Sequence, residues 1–141
     1  MTVATSKVLD SFALIGYLEN EPFASSIEKM LRQARQGKLS IYLHAIHLGE
    51  VYYIAIREKG EELADLALAR IKAFPLIYVD TIDDELLCCA AAFKANYPIS
   101  YADSFAAAMA VIHNAALLTG DPEFKKLEKK EGLSIEWLRS E

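Results

Sequence analysis

The sequence predicts an α/β layer fold with a mainly parallel sheet, and three observations predict it. Short β-like runs alternate with longer stretches of helical periodicity. No linker, internal repeat or low-complexity tract breaks that alternation, and the four prolines fall at separate segment edges. The 141 residues, 53% hydrophobic and 25% charged, suit one domain over residues 1–141 with one real core.

Lys7 to Asp10 reads as a strand ending on an acid, and Ser11 to Leu18 as the helix it feeds. Helical periodicity follows over Phe23 to Arg35, Ala45 to Arg57 and Glu61 to Phe74. Leu76 to Asp80 is the next β-like run. Asp80, Asp83, Asp84 and Glu85 then mark a strand-to-helix junction, where the helix dipole favours negative charge and Asp83 caps a helix running to Ala95. In the helix Ala102 to His113, the small residues Ala106, Ala107, Ala110 and Asn114 form one stripe that permits close packing on the sheet. Ala115 to Thr119 is a strand, Pro122 to Glu131 a helix with proline in its first position, and Ser134 to Trp137 a last strand.

Several function classes find no support. Adjacent helical residues point apart, so Cys88 and Cys89 read as core residues rather than a disulfide or metal pair. His44 and His47 are three apart and His113 is remote, which gives no zinc spacing. There is no Gly-x-Ser-x-Gly elbow and no glycine-rich phosphate loop. Apolar stretches end before they could span a bilayer and no signal-like N-terminus precedes them, so the expected location is the cytoplasm with no membrane partner. A net charge of -5 argues against indiscriminate nucleic-acid binding, yet an acidic catalytic site would itself carry several of those charges. Lys29, Arg32, Arg35 and Lys38, and the later Lys125, Lys126, Lys129 and Lys130, can contact phosphates or form ordinary solvated faces.

Four acids stand out against this background. Asp10, Glu50, Asp103 and Asp121 each lie in or beside an apolar segment, where an unpaired carboxylate costs several kcal/mol. Asp10 and Asp121 occupy strand ends, where open parallel sheets collect ligands. Each has a structural alternative: Asp10 and Asp121 can cap helices, and Ser100 to Asp103 fits a capping box. Glu50, in mid-helix between Ile46 and Ile54, caps nothing, and its structural alternative is an ion pair with a Lys or Arg elsewhere. A shared divalent cation explains the set, and an all-oxygen cluster suits Mg2+ or Mn2+. Burial and mutual repulsion are expected to raise at least one of these carboxyl pKa values in the metal-free protein.

The order and context of these acids resemble a PIN domain, in particular the small VapC-like ribonucleases of toxin-antitoxin pairs. The matching segments are Val8-Leu9-Asp10-Ser11-Phe12, Glu50 on its helix, Ile99 to Ala108 around Asp103, and Leu118-Thr119-Gly120-Asp121-Pro122-Glu123-Phe124. The resemblance implies a three-layer α/β/α sandwich, hydrolysis of RNA phosphodiester bonds, and Asp10, Glu50, Asp103 and Asp121 as catalytic and metal-binding residues. Ser11 and Thr119 would support them by hydrogen bonds. It also implies a homodimer and, for the toxin branch, a small antitoxin protein. The apolar helix Phe23 to Arg35 and the stretch Val51 to Ile56 are the expected contact surfaces. A PIN-like RNA-binding or assembly module without turnover, and a housekeeping RNA-processing nuclease, are the alternatives. A phosphoaspartate receiver or phosphatase fits poorly, because Asp10-Ser11-Phe12 lacks the Asp-x-Asp pattern.

Overall fold

The computed structural model describes residues 5–139. In chain order the elements are β1 (Thr5–Leu9), α1 (Ser11–Leu18), α2 (Ala24–Arg35), β2 (Leu39–His44), α3 (Ala45–Lys59), α4 (Glu61–Lys72), β3 (Ile77–Val79), α5 (Asp84–Asn96), α6 (Tyr101–Ile112), β4 (Ala116–Thr119), α7 (Lys125–Glu131) and β5 (Ile135–Trp137). All strand pairs are parallel, and the strand order is β3-β2-β1-β4-β5. The chain builds outward from β1 in one direction through β2 and β3, then returns to the other side for β4 and β5. The reversal falls between β1 and β4, so their carboxyl ends open a crevice there.

Strand alternation divides the core into two. Val8 and Leu117 face one side, packing with Leu86, Ala90 and Phe93 of α5, Ala106 to Ala110 of α6, and Leu127 of α7. Leu9 and Leu118 face the other, with Ala13 and Leu14 of α1, Ile27 and Leu31 of α2, Leu48 and Val51 of α3, and Ile71 of α4. Helices therefore cover both faces, as the three-layer expectation requires. Each fully buried Leu contributes about 1.5–3 kcal/mol, so strands buried on both faces are strongly held in register. The alanine stripe of α6 is buried throughout, which lets that helix approach β1 and β4 closely.

Where the structure departs from the sequence expectations, the causes are local. β2 was not expected, yet Leu39, Ile41 and Leu43 alternate as buried residues with the half-buried Ser40 and Tyr42, and the strand lies between β1 and β3. The helix expected from Pro122 begins instead as a 3-10 turn, Pro122–Phe124, before α7, because the Asp121 side chain accepts the Glu123 N–H at 3.0 Å. Cys88 is exposed and Cys89 only half-buried: the inward stripe of α5 is Leu86, Ala90 and Phe93, which turns Cys88 outward. Both thiols are free. The apolar stripe of α2 is consumed by the core through Ala24, Ile27, Met30 and Leu31, and so is not open to a second protomer. Gly60, at φ 90°, sits between α3 and α4 in a backbone conformation that L side chains rarely adopt. Among the described residues, no helix is long and apolar enough to cross a membrane.

Candidate active site

Asp10 follows β1 directly and caps α1. Its Oδ1 accepts the Ala13 N–H at 2.9 Å, and the residue is 2% exposed. The capping alternative is therefore correct as far as it goes, but a capping hydrogen bond alone leaves a buried carboxylate under-compensated. Burial raises its pKa from 3.8 to about 7. The hydrogen bonds from Thr119 and Ala13 oppose that rise, and the charges of Asp121 and Glu50 add to it.

Asp121 enters from the neighbouring strand. Its N–H donates to the Thr119 Oγ1 at 3.1 Å, while its own Oδ1 caps the following 3-10 turn. Thr119, fully buried at the end of β4, thus contacts both strand-end acids. Gly120 makes the turn between them feasible: a Cβ there would lie 2.4 Å from the Phe12 ring and 2.9 Å from the Leu138 carbonyl oxygen.

Asp103 comes from the first turn of α6. Ser100 caps that helix by accepting the Asp103 N–H at 3.1 Å. Among the described residues the reciprocal bond of a capping box, from the Ser100 N–H to the Asp103 carboxylate, is absent, so that carboxylate is left to the crevice. Burial first, then the Glu123 side chain, Asp121 and Asp10, raise its pKa to about 8. Glu50, on α3, is half-buried, and its Oε1 is buried with no hydrogen-bond partner among the described residues. Burial raises its pKa too, partly offset by a hydrogen bond with Ser11.

The charges of Asp121 and Glu50 therefore reach Asp10, and those of Asp121 and Asp10 reach Asp103, with Ser11 beside Glu50 and Thr119 beside Asp10. The tightest group is a different set. One carboxylate oxygen from each of Asp103, Asp121 and Glu123 lies within 4.8 Å of the others. Glu123 was not among the expected site residues. Its signal is the Asp121-Pro122-Glu123 spacing, since the 3-10 turn directs the second acid back over the strand end. The carboxylates of Asp103, Asp121 and Glu123 form a hard, oxygen-only donor set, which fits Mg2+ or Mn2+ and disfavours softer ions.

The model of the PIN domain family matches residues 7–130. No curated protein matches the sequence significantly. Among solved structures, VapBC2 from Rickettsia felis bound to a DNA fragment from its promoter matches with a TM-score of 0.75 and 16% identity, covering 96% of this chain and 100% of that one. DNA-bound VapBC from Salmonella typhimurium gives a TM-score of 0.71 at 16% identity, covering 94% and 97%. VapC20 of Mycobacterium tuberculosis, described as a Sarcin-Ricin loop cleaving toxin, gives 0.58 at 16% identity, covering 80% and 87%. At such identities the likeness is one of fold.

Proposed function

This chain belongs to the PIN domain family, and from that premise we propose that it is a metal-dependent endoribonuclease, the toxin of a VapBC-type pair, acting as a single nuclease domain. One observation carries the reading: acids separated by more than a hundred residues converge at the strand-order reversal, two with strongly raised pKa values. Burial is the largest cause of both shifts and repulsion between the acids adds to it; a bound dication offsets both by favouring the ionised forms.

In this reading Asp103, Asp121 and Glu123 hold a Mg2+ or Mn2+ ion, and Asp10 and Glu50 reach it directly or through water. Such an ion supplies charge against a phosphoryl oxygen and lowers the pKa of a bound water. Thr119 and Ser11 fix the rotamers of Asp10 and Glu50. Lys125 and Lys126, exposed and directly after the Glu123 turn, offer phosphate contacts that hold an RNA strand beside the acids. The fold neighbours solved as VapBC complexes support an antitoxin partner, and so does an apolar groove of about 320 Å³ lined by Ile15, Leu18, Val51, Ile54, Leu63 and Leu66. Of the stretch Val51 to Ile56, Ile54 and Ala55 line this groove beside the buried Val51, and they are the part of it offered to a homodimer or to that partner.

The test is direct. Metal-stripped protein given Mg2+ or Mn2+ should cleave RNA, and Asp103→Asn should not. Failure of the wild type both to bind either ion and to cut any RNA ends the catalytic reading. Metal binding without turnover would instead favour an RNA-binding or assembly module.

A further inference from the structure

His47 is buried to 0% exposure inside α3. Its Nε2 lies 2.9 Å from the carbonyl oxygen of Ala102 in α6, 55 residues away along the chain. A carbonyl only accepts, so Nε2 carries the proton and Nδ1 holds a lone pair. That Nδ1 is buried with no hydrogen-bond partner among the described residues. Burial lowers the imidazole pKa to about 4, with the Ala102 carbonyl opposing and His44 assisting, so the ring is neutral near pH 7.

Both histidines of this segment are buried, but they do different things. His44 uses both ring nitrogens: Nδ1 accepts the Ile46 N–H at 3.1 Å, capping α3, and Nε2 meets the Thr81 carbonyl at 2.9 Å. His47 caps nothing. An unsatisfied buried acceptor costs about 1–3 kcal/mol, more than the net return of about 1 kcal/mol from one hydrogen bond, so a leucine would serve the packing as well. What leucine would not supply is the tie to Ala102. On one side of that tie, Glu50 stands one helical turn beyond His47; on the other, Asp103 follows Ala102 directly.

We propose that His47 is a positioning residue, whose hydrogen bond to the Ala102 carbonyl sets the separation between Glu50 on α3 and Asp103 on α6. Its consequence for metal rests on the nuclease reading above. Without the bond, the two helices keep their apolar contacts but lose the polar stop that fixes α3 against the first turn of α6.

The experiment compares His47→Leu, His47→Gln and His47→Asn with wild type. The Gln amide nitrogen reaches about as far as Nε2 and can donate to the same carbonyl; the shorter Asn amide cannot. His47→Leu is expected to melt within a few degrees of wild type but to bind Mn2+ about tenfold more weakly by calorimetry, in the range seen when outer-shell partners are removed. His47→Gln should recover to within about twofold, and His47→Asn should not. Should the Leu variant fail to fold, the Gln and Asn pair makes the same comparison. Carbon-13 shifts of the Glu50 and Asp103 carboxyls, measured on metal-free protein at neutral pH, should move in the Leu and Asn variants and return in Gln. Wild-type Mn2+ affinity in His47→Leu, a Gln variant as weak as Asn, or carboxyl shifts unmoved in every variant overturns the proposal. A wild type that binds no Mn2+ ends the metal reading alone, because the carboxyl shifts still decide the role of His47.

Discussion

Asp10→Asn should stabilise the metal-free protein while abolishing its activity. Asn caps helices as well as Asp does, so the Ala13 N–H keeps its acceptor. The variant removes the need to ionise a carboxyl that folding buries. Raising that pKa from 3.8 to about 7, at about 1.4 kcal/mol for each pH unit, amounts to about 4 kcal/mol. The unfolded state releases this proton first, so folding stability is highest below pH 4 and is lost as pH rises to about 7. Replacing one oxygen with an amide facing Thr119 gives back about 1 kcal/mol. The expected net gain is therefore about 3 kcal/mol at pH 8, falling with pH and turning into a loss of up to about 1 kcal/mol below pH 4. Urea unfolding in chelator, followed by circular dichroism from pH 4 to 8, measures it. Adding Mn2+ at a hundredfold over its Kd should stabilise wild type by about 2.7 kcal/mol and the variant by much less. A variant less stable than wild type at pH 8, or one whose difference shows no pH trend, refutes the reasoning.

Three further outcomes follow from the same geometry. Metal affinity should fall as pH drops from 8 to 6, because protons on Asp103 (about 8) and Asp10 (about 7) compete with the ion; calorimetry should read up to about tenfold per pH unit for each proton displaced. Glu123→Gln should weaken Mn2+ binding by about tenfold or more and lower the Asp103 pKa, which a carbon-13 titration reports. Gly120→Ala should cost about 1–3 kcal/mol by pushing its Cβ into the Phe12 ring and the Leu138 carbonyl, and should displace Asp121; thermal melts and Mn2+ titration check both.

Much of this was legible because burial writes itself into sequence. Each helix was visible from its period, and Asp10 and Asp121 declared themselves as charges at the ends of apolar strands. Glu50 was identified by having nothing to cap, and its Oε1 is buried with no hydrogen-bond partner among the described residues. β2 was missed because Ser40 and Tyr42 dilute its apolar character and it runs straight into α3, leaving no turn residue as punctuation. Glu123 was missed because an acid in a first helical turn already has a dipole to explain it, and only the tightened 3-10 geometry brings it beside Asp103. The cysteines were misplaced because composition cannot say which face of α5 turns inward, a choice made by Leu86 and Phe93. His47 offered no sequence signal at all, since its partner is a backbone carbonyl on another helix.

The reversal of strand order between β1 and β4 also governs when the molecule becomes competent during synthesis. Asp10 is made before Asp121 and Glu123, which follow only after more than a hundred further residues, a delay of about 6–20 s at ordinary elongation rates. A nascent chain that ends before Glu123 lacks part of the set. An acidic site assembled in this way stays incomplete until β4 slots in beside β1.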